Sequence, residues 1–275
     1  MQIRDYSLPA GWYPRDAGEI KRFLTDFSEE RSQYRAAVSP HAGWYYSGRI
    51  AALAVSGLDR SAETVAVLGG HLPAGMPPLF ALEDAVQTPL GHMPIDTDLR
   101  SLLMEKLGGK EDRYRDNTIE VLLPMVRFFF PNAELLWLRL PAETSSFNSG
   151  KEIALAAEKL SKKINVLAST DLTHYGINYG FTPHGTGEKA LKWVKEVNDL
   201  NFIRALEAGK SDEVLKRAET EKAACSAGAV LGAMGFSRPS GSWRLLEYGT
   251  SADVSIREGE HLPDSFVGYA ALAFV

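Results

Sequence analysis

Short apolar runs, spaced by longer segments with one apolar face, set the rhythm of this chain. Ala36-Ala37-Val38-Ser39, Thr64-Val65-Ala66-Val67-Leu68 and Ile164-Asn165-Val166-Leu167-Ala168 are apolar almost throughout. Such runs predict strands covered on both faces, over 35–39, 63–69 and 164–169. Similar runs predict strands over 134–139, 243–248 and 266–274. Between them, Ile20, Phe23, Leu24 and Phe27 recur at helical spacing behind Asp16, predicting a capped helix that runs to about Arg31. A helix from Asp96 or Thr97 to Leu107 is stopped by Gly108-Gly109. Others are predicted over 48–56, 148–162, 187–208 and 211–218, and Cys225 opens a small-residue helix over 226–234. Pro77, Pro78, Pro89 and Pro94 leave 79–95 as short extended pieces, and Pro124 kinks or shortens the helical rhythm of 117–130. Strands alternating with helices predict an α/β fold, a three-layer α/β/α sandwich on a mixed, largely parallel sheet. No linker-like stretch divides residues 1–275, which read as one domain.

Three of these strands lead into histidines: Pro40-His41-Ala42-Gly43, Gly69-Gly70-His71 and Ser169-Thr170-Asp171-Leu172-Thr173-His174. Ligands of open α/β sheets bind beyond the carboxyl ends of the strands. Three imidazoles delivered to one sheet edge therefore suggest one shared site. His92, His184 and His261 follow no such strand and read as ordinary loop histidines.

Composition narrows the partners. A net charge of -5 and a pI near 5.8 argue against nucleic acid. The lone cysteine, Cys225, precludes an intrachain disulfide and suits a reducing compartment. Neither a signal-peptide core nor an apolar stretch of about 20 residues is present, so a cytoplasmic protein is expected. The dinucleotide, P-loop, zincin and hydrolase-elbow motifs are missing, and no nucleotide cofactor is expected.

Two histidines and one thiolate suffice to hold a transition metal and leave positions open for substrate. Cys225 is either that thiolate, its pKa lowered by a helix start, or a small buried hydrophobe. Asp171 and His174 share one turn, either as a carboxylate-oriented proton carrier or as a helix cap beside a solvent-facing histidine. Trp44 and Tyr45 are a substrate wall or core, and Thr250 and Ser251 bring hydroxyls to a strand end or satisfy local backbone.

Longer motifs carry a resemblance. Ala10-Gly11-Trp12-Tyr13-Pro14, Pro40-His41-Ala42-Gly43-Trp44-Tyr45-Tyr46-Ser47-Gly48, Ser169-Thr170-Asp171-Leu172-Thr173-His174-Tyr175-Gly176 and Tyr248-Gly249-Thr250-Ser251-Ala252-Asp253-Val254 resemble the Memo family. Its prokaryotic members are called AmmeMemoRadiSam system protein B. The matches run in family order to Gly268-Tyr269-Ala270. The resemblance implies a fold similar to LigB-type class III extradiol dioxygenases, with their two histidines and glutamate replaced by two histidines and a cysteine. On this chain those are His41, His71 and Cys225, with His174, beside Asp171, as the family's additional active-site histidine. One transition metal, Fe(II) or Cu before Zn, is implied, as is a link to radical-SAM system proteins. The chain departs from the family pattern at Asp116-Asn117-Thr118-Ile119-Glu120, where many relatives carry a histidine; Asn117 can only hydrogen-bond. The stretch Ser226-Ala227-Gly228-Ala229 after the cysteine also differs.

The expected function is a metal-dependent, dioxygenase-like oxidoreductase on a small-molecule or peptide substrate. The alternatives are a metal-assisted or cysteine hydrolase and a non-catalytic peptide-binding adapter.

Overall fold

The computed structural model describes residues 1–29, 33–237 and 241–275. Four parallel strands make the centre of its main sheet, in the spatial order Ala36–Ser39, Ile164–Ser169, Thr64–Leu72 and Glu134–Pro141. Ser265–Phe274 continues the sheet antiparallel to Ala36–Ser39, and both Trp243–Thr250 and His174–Gly176 pair antiparallel to it. Beyond Glu134–Pro141 lie the short strands Leu79–Phe80 and Lys110–Glu111. Ile3–Arg4, Ala85–Val86 and Met93–Pro94 form a separate small sheet. The sheet is mixed, as the pattern predicts.

Alternation along the strands divides the core into two. Ala66, Leu68, Leu136 and Leu138 join Thr97–Leu107, Ser145–Leu160, Asp199–Glu207 and Ala227–Phe236 on one face. Val65, Val67, Leu135 and Trp137 join Ala17–Thr25, Trp44–Ser56 and Leu123–Phe129 on the other. Helices thus cover both faces, giving the three-layer sandwich. Every residue of Ala227–Phe236 is buried. A Cβ at Gly150 would stand 1.9 Å from the Gly232 carbonyl, so the small residues of these two helices let their backbones approach closely.

Several boundaries differ from the sequence expectations for physical reasons. The first helix ends at Thr25; its expected end at Arg31 lies outside the described residues. The second begins at Trp44, not Gly48, because its first turn caps onto Gly43. The 117–130 segment splits into Asn117–Glu120 and Leu123–Phe129, and Pro124 sits in the first turn of the latter, where its missing N–H is harmless. The 187–208 helix contains a π-helical insertion, Val194–Asn198. Ser251–Arg257 is a helix the periodicity did not reveal. Its signal is the capping box in which Thr250 and Asp253 exchange hydrogen bonds. Among the described residues, no helix is long and apolar enough to cross a membrane.

Candidate metal centre

Three elements converge beyond the carboxyl ends of the parallel strands. His41 directly follows Pro40 at the end of Ala36–Ser39 and is buried. His71 lies within the bulged end of Thr64–Leu72, where pairing with Glu134–Pro141 shifts between Gly69 and Leu72. Its φ of +57° turns the chain there, and the bulge re-aims the imidazole. Cys225 precedes Ser226, the N-cap of Ala227–Phe236. Gly70 lets the turns meet, since a Cβ there would come within 2.3 Å of the Ser226 side chain.

Cys225 Sγ lies 3.3 Å from His41 Nε2, and one ligating atom from each of His41, His71 and Cys225 lies within 4.8 Å of the others. The remaining ring nitrogens are held from behind. His41 Nδ1 is 2.8 Å from Ser169 Oγ, and His71 Nδ1 is 2.9 Å from Asp116 Oδ2. Once the Nε2 protons leave, each Nδ1 keeps its proton toward its partner and both Nε2 lone pairs face inward, the tautomer a metal requires. Two imidazoles and a thiolate fit Fe, Cu or Zn.

The cluster also polarises itself. Burial raises the Cys225 thiol, but His41 and His71 outweigh it and hold the pKa well below that of an ordinary thiol. Burial depresses His71, yet Asp116 and Cys225 lift it to about 10. His41 is likewise lowered by burial and raised on balance by Asp171 and Cys225. Burial pushes the Asp116 carboxyl up, but its bond to His71 and the Arg139 charge hold it far below the carboxylate range. Arg139 Nη2 is 3.3 Å from Asp116, while its Nη1 is 3.3 Å from the buried Asp112.

A cavity of about 680 Å³ opens over the cluster. His41, His71, His174, Asp171, Tyr45 and Ser251 line it. His174 starts the strand His174–Gly176 and packs edge-on against Tyr179, 5.0 Å between ring centroids. Asp171 Oδ1 accepts the His41 backbone N–H at 2.7 Å, and its Oδ2 stands 3.9 Å from His41 Nε2. Among the described residues no hydrogen bond joins Asp171 to His174; the carboxylate braces His41 instead. Burial raises the Asp171 pKa, opposed by the charge of His41.

Trp44 and Thr250 are not brought to the cavity. Trp44 is buried, donates from Nε1 to the Val121 carbonyl at 2.9 Å and packs on Phe23. Thr250 is spent on the capping box. Trp12, Tyr46 and Tyr179 supply the aromatic walls in their place. Sequence reasoning also passed over Ser169, Asp116 and Arg139 as supports. Arg139 carried a usable signal, a lone cation inside the apolar run Leu135-Leu136-Trp137-Leu138-Arg139-Leu140. Asn117 lines the cavity and donates from Nδ2 to the His41 carbonyl at 3.1 Å.

Known proteins are similar to this chain over nearly its whole length. A family model described as Memo-like protein matches residues 4–273. A MEMO1 family protein of Pyrococcus furiosus is 30% identical over 298 residues, covering 98% of each chain. Another from Thermococcus onnurineus is 29% identical, covering 99% of each. Among solved structures, an uncharacterized protein of Escherichia coli aligns with a TM-score of 0.45 at 14% identity, covering 86% of this chain and 99% of that one.

Proposed function

Because the chain belongs to the Memo-like protein family, we propose that it is a metal-dependent oxidoreductase whose ion is held by His41, His71 and Cys225. The observation that carries this reading is the convergence of three ligating atoms within 4.8 Å beneath the cavity. Bound there, Fe(II) or Cu would supply Lewis acidity and redox capacity toward a small substrate.

The chain's own residues do the rest. Ser169 and Asp116 fix the imidazole tautomers, so no ring has to reorient when the ion arrives. Asp171 holds the His41 backbone in place. His174, on the cavity wall without belonging to the three-ligand cluster, takes or returns a proton at its ring nitrogen. Tyr45, Tyr46 and Tyr179 line the cavity and offer aromatic contacts to a substrate.

Metal analysis of protein purified without chelator tests the reading. Stoichiometric redox metal in the wild type, lost in Cys225→Ser, is expected, because a neutral hydroxyl replaces an anionic soft ligand. Unchanged metal in Cys225→Ser contradicts the ligand assignment. The 3.3 Å approach of Cys225 Sγ to His41 Nε2 also suits a second reading, a cysteine nucleophile beside its base. Metal-free wild-type protein whose activity is abolished by thiol alkylation supports that reading.

A further inference from the structure

Behind the His174 strand, outside the metal cluster, sits a carboxylate that stability alone does not explain. Asp199 is fully buried, and among the described residues no cation pairs with it. Its Oδ1 accepts the Thr173 backbone N–H at 3.1 Å and also the Thr173 hydroxyl, while its Oδ2 accepts from Tyr248 OH at 2.7 Å. Asn198 completes the grip, donating from Nδ2 to Thr173 Oγ1 at 2.9 Å and to the Glu221 carbonyl at 3.0 Å.

The backbone is arranged to allow this. Asn198 ends the π-helical insertion Val194–Asn198 and Asp199 opens the next α-helical stretch, and both side chains reach the same threonine. Such insertions interrupt a helix at a cost and recur at functional sites. On the opposite side, Gly268 leaves room for the carboxylate: a Cβ there would stand 2.0 Å from Asp199 Oδ2. Gly268 also exchanges backbone bonds with the same loop, accepting from Leu172 N–H at 2.8 Å and donating to the Thr173 carbonyl at 3.0 Å. Thr173 is therefore held through its N–H, hydroxyl and carbonyl at once, and the next residue is His174.

We propose that Asp199 is a positioning residue for His174: with Asn198 it clamps Thr173, and so fixes the histidine on the cavity wall. An unpaired buried carboxylate is costly, and here its two oxygens accept from three donors at once, which an amide of the same size does not. Burial pushes the Asp199 carboxyl up to about 7, against the pull of Thr173 and Tyr248. Tyr248 is the titratable group that faces it, and Thr173, Asn198 and Gly268 contribute no charge. The role rests on His174 being in the cavity and not on the identity of the ion.

The test reads the ring of His174 by nitrogen-edited NMR, with the resonance assigned from His174→Ala. Asp199→Asn keeps an acceptor for Thr173 and places an amide donor on Tyr248, so the His174 resonance is expected to stay at its wild-type position. Asp199→Ala and Thr173→Val each remove part of the grip and are expected to displace the resonance. Metal content is expected to remain at the wild-type level in all of them, which separates failure here from failure of the metal reading. If Asp199→Ala does not fold, Thr173→Val, which loses only the hydroxyl, decides. A folded variant lacking the grip whose His174 signal matches wild type overturns the proposal.

Discussion

At the scale of single residues, the centre depends on groups that never touch a ligand. Asp116→Asn still hydrogen-bonds His71 but removes the charge that orients it and raises its basicity. Metal affinity should fall roughly 10–100-fold, read by competition with a chromophoric chelator. His174→Ala should keep its metal and lose about 10²–10⁴-fold in turnover on any substrate found, the share a general acid–base contributes. Metal loss in that variant would instead make His174 a ligand. Asp199 has a folded-state pKa near 7, above the ordinary value of about 4 for an unfolded chain. Its contribution to stability is thus complete below pH 4 and is lost as pH rises through 7. Denaturant melts from pH 5 to 8 should show wild type weakening relative to Asp199→Asn, with the gap level beyond pH 8; a constant gap would mean that Asp199 does not titrate there.

At the scale of elements, one short segment organises the site. Asp116 holds His71, Asn117 the His41 carbonyl and Thr118 Oγ1 the Gly70 N–H. Glu120, buried, accepts the Ser7 and Leu8 N–H groups at 2.7 and 3.1 Å and Tyr13 OH at 2.9 Å. That last set anchors the N-terminal stretch whose Gly11 and Trp12 wall the cavity. Glu120→Ala should speed amide exchange over residues 7–13 while sparing metal content; unchanged exchange would show that other contacts hold the stretch. Gly70→Ala should cost about 1–3 kcal/mol, because its methyl overlaps Ser226 beside Cys225. Loss of metal together with a lowered melting temperature is the expected pair.

The same scale shows what the sequence made legible. A buried strand is a local apolar run, and the residue past its end lies at the sheet edge wherever the strand pairs. His41, past the end of its strand, and His71, in the bulged end of its own, could therefore be read from their neighbours alone. Supports could not: Ser169 and Asp116 meet their histidines across separations of 128 and 45 residues. Trp44 was misplaced because the helix starts four residues before the expected Gly48. Its 100° steps then send Trp44 inward and leave Tyr45 and Tyr46 exposed. Cys225 at a helix start left two readings open, a thiolate ligand or a buried hydrophobe, and only the resemblance to a family favoured the ligand, since nothing nearby distinguishes a buried thiol from a metal-binding one.

At the scale of the whole molecule, the strand Ser265–Phe274 joins distant parts of the chain. Phe274 pairs with Ala36 and with Trp243, and Val267 pairs with His174. The parallel centre is also assembled from runs far apart in sequence. Such pairings close long loops before any contact rewards them, and chains of this kind fold slowly. Stopped-flow tryptophan fluorescence should give refolding in milliseconds to seconds or slower. During synthesis, Ala36–Ser39 emerges long before the strand that covers its edge. The nascent chain therefore exposes an apolar, unpaired strand while most of the protein is still being made. Its yield in a cell should depend on holding chaperones more than its finished stability suggests.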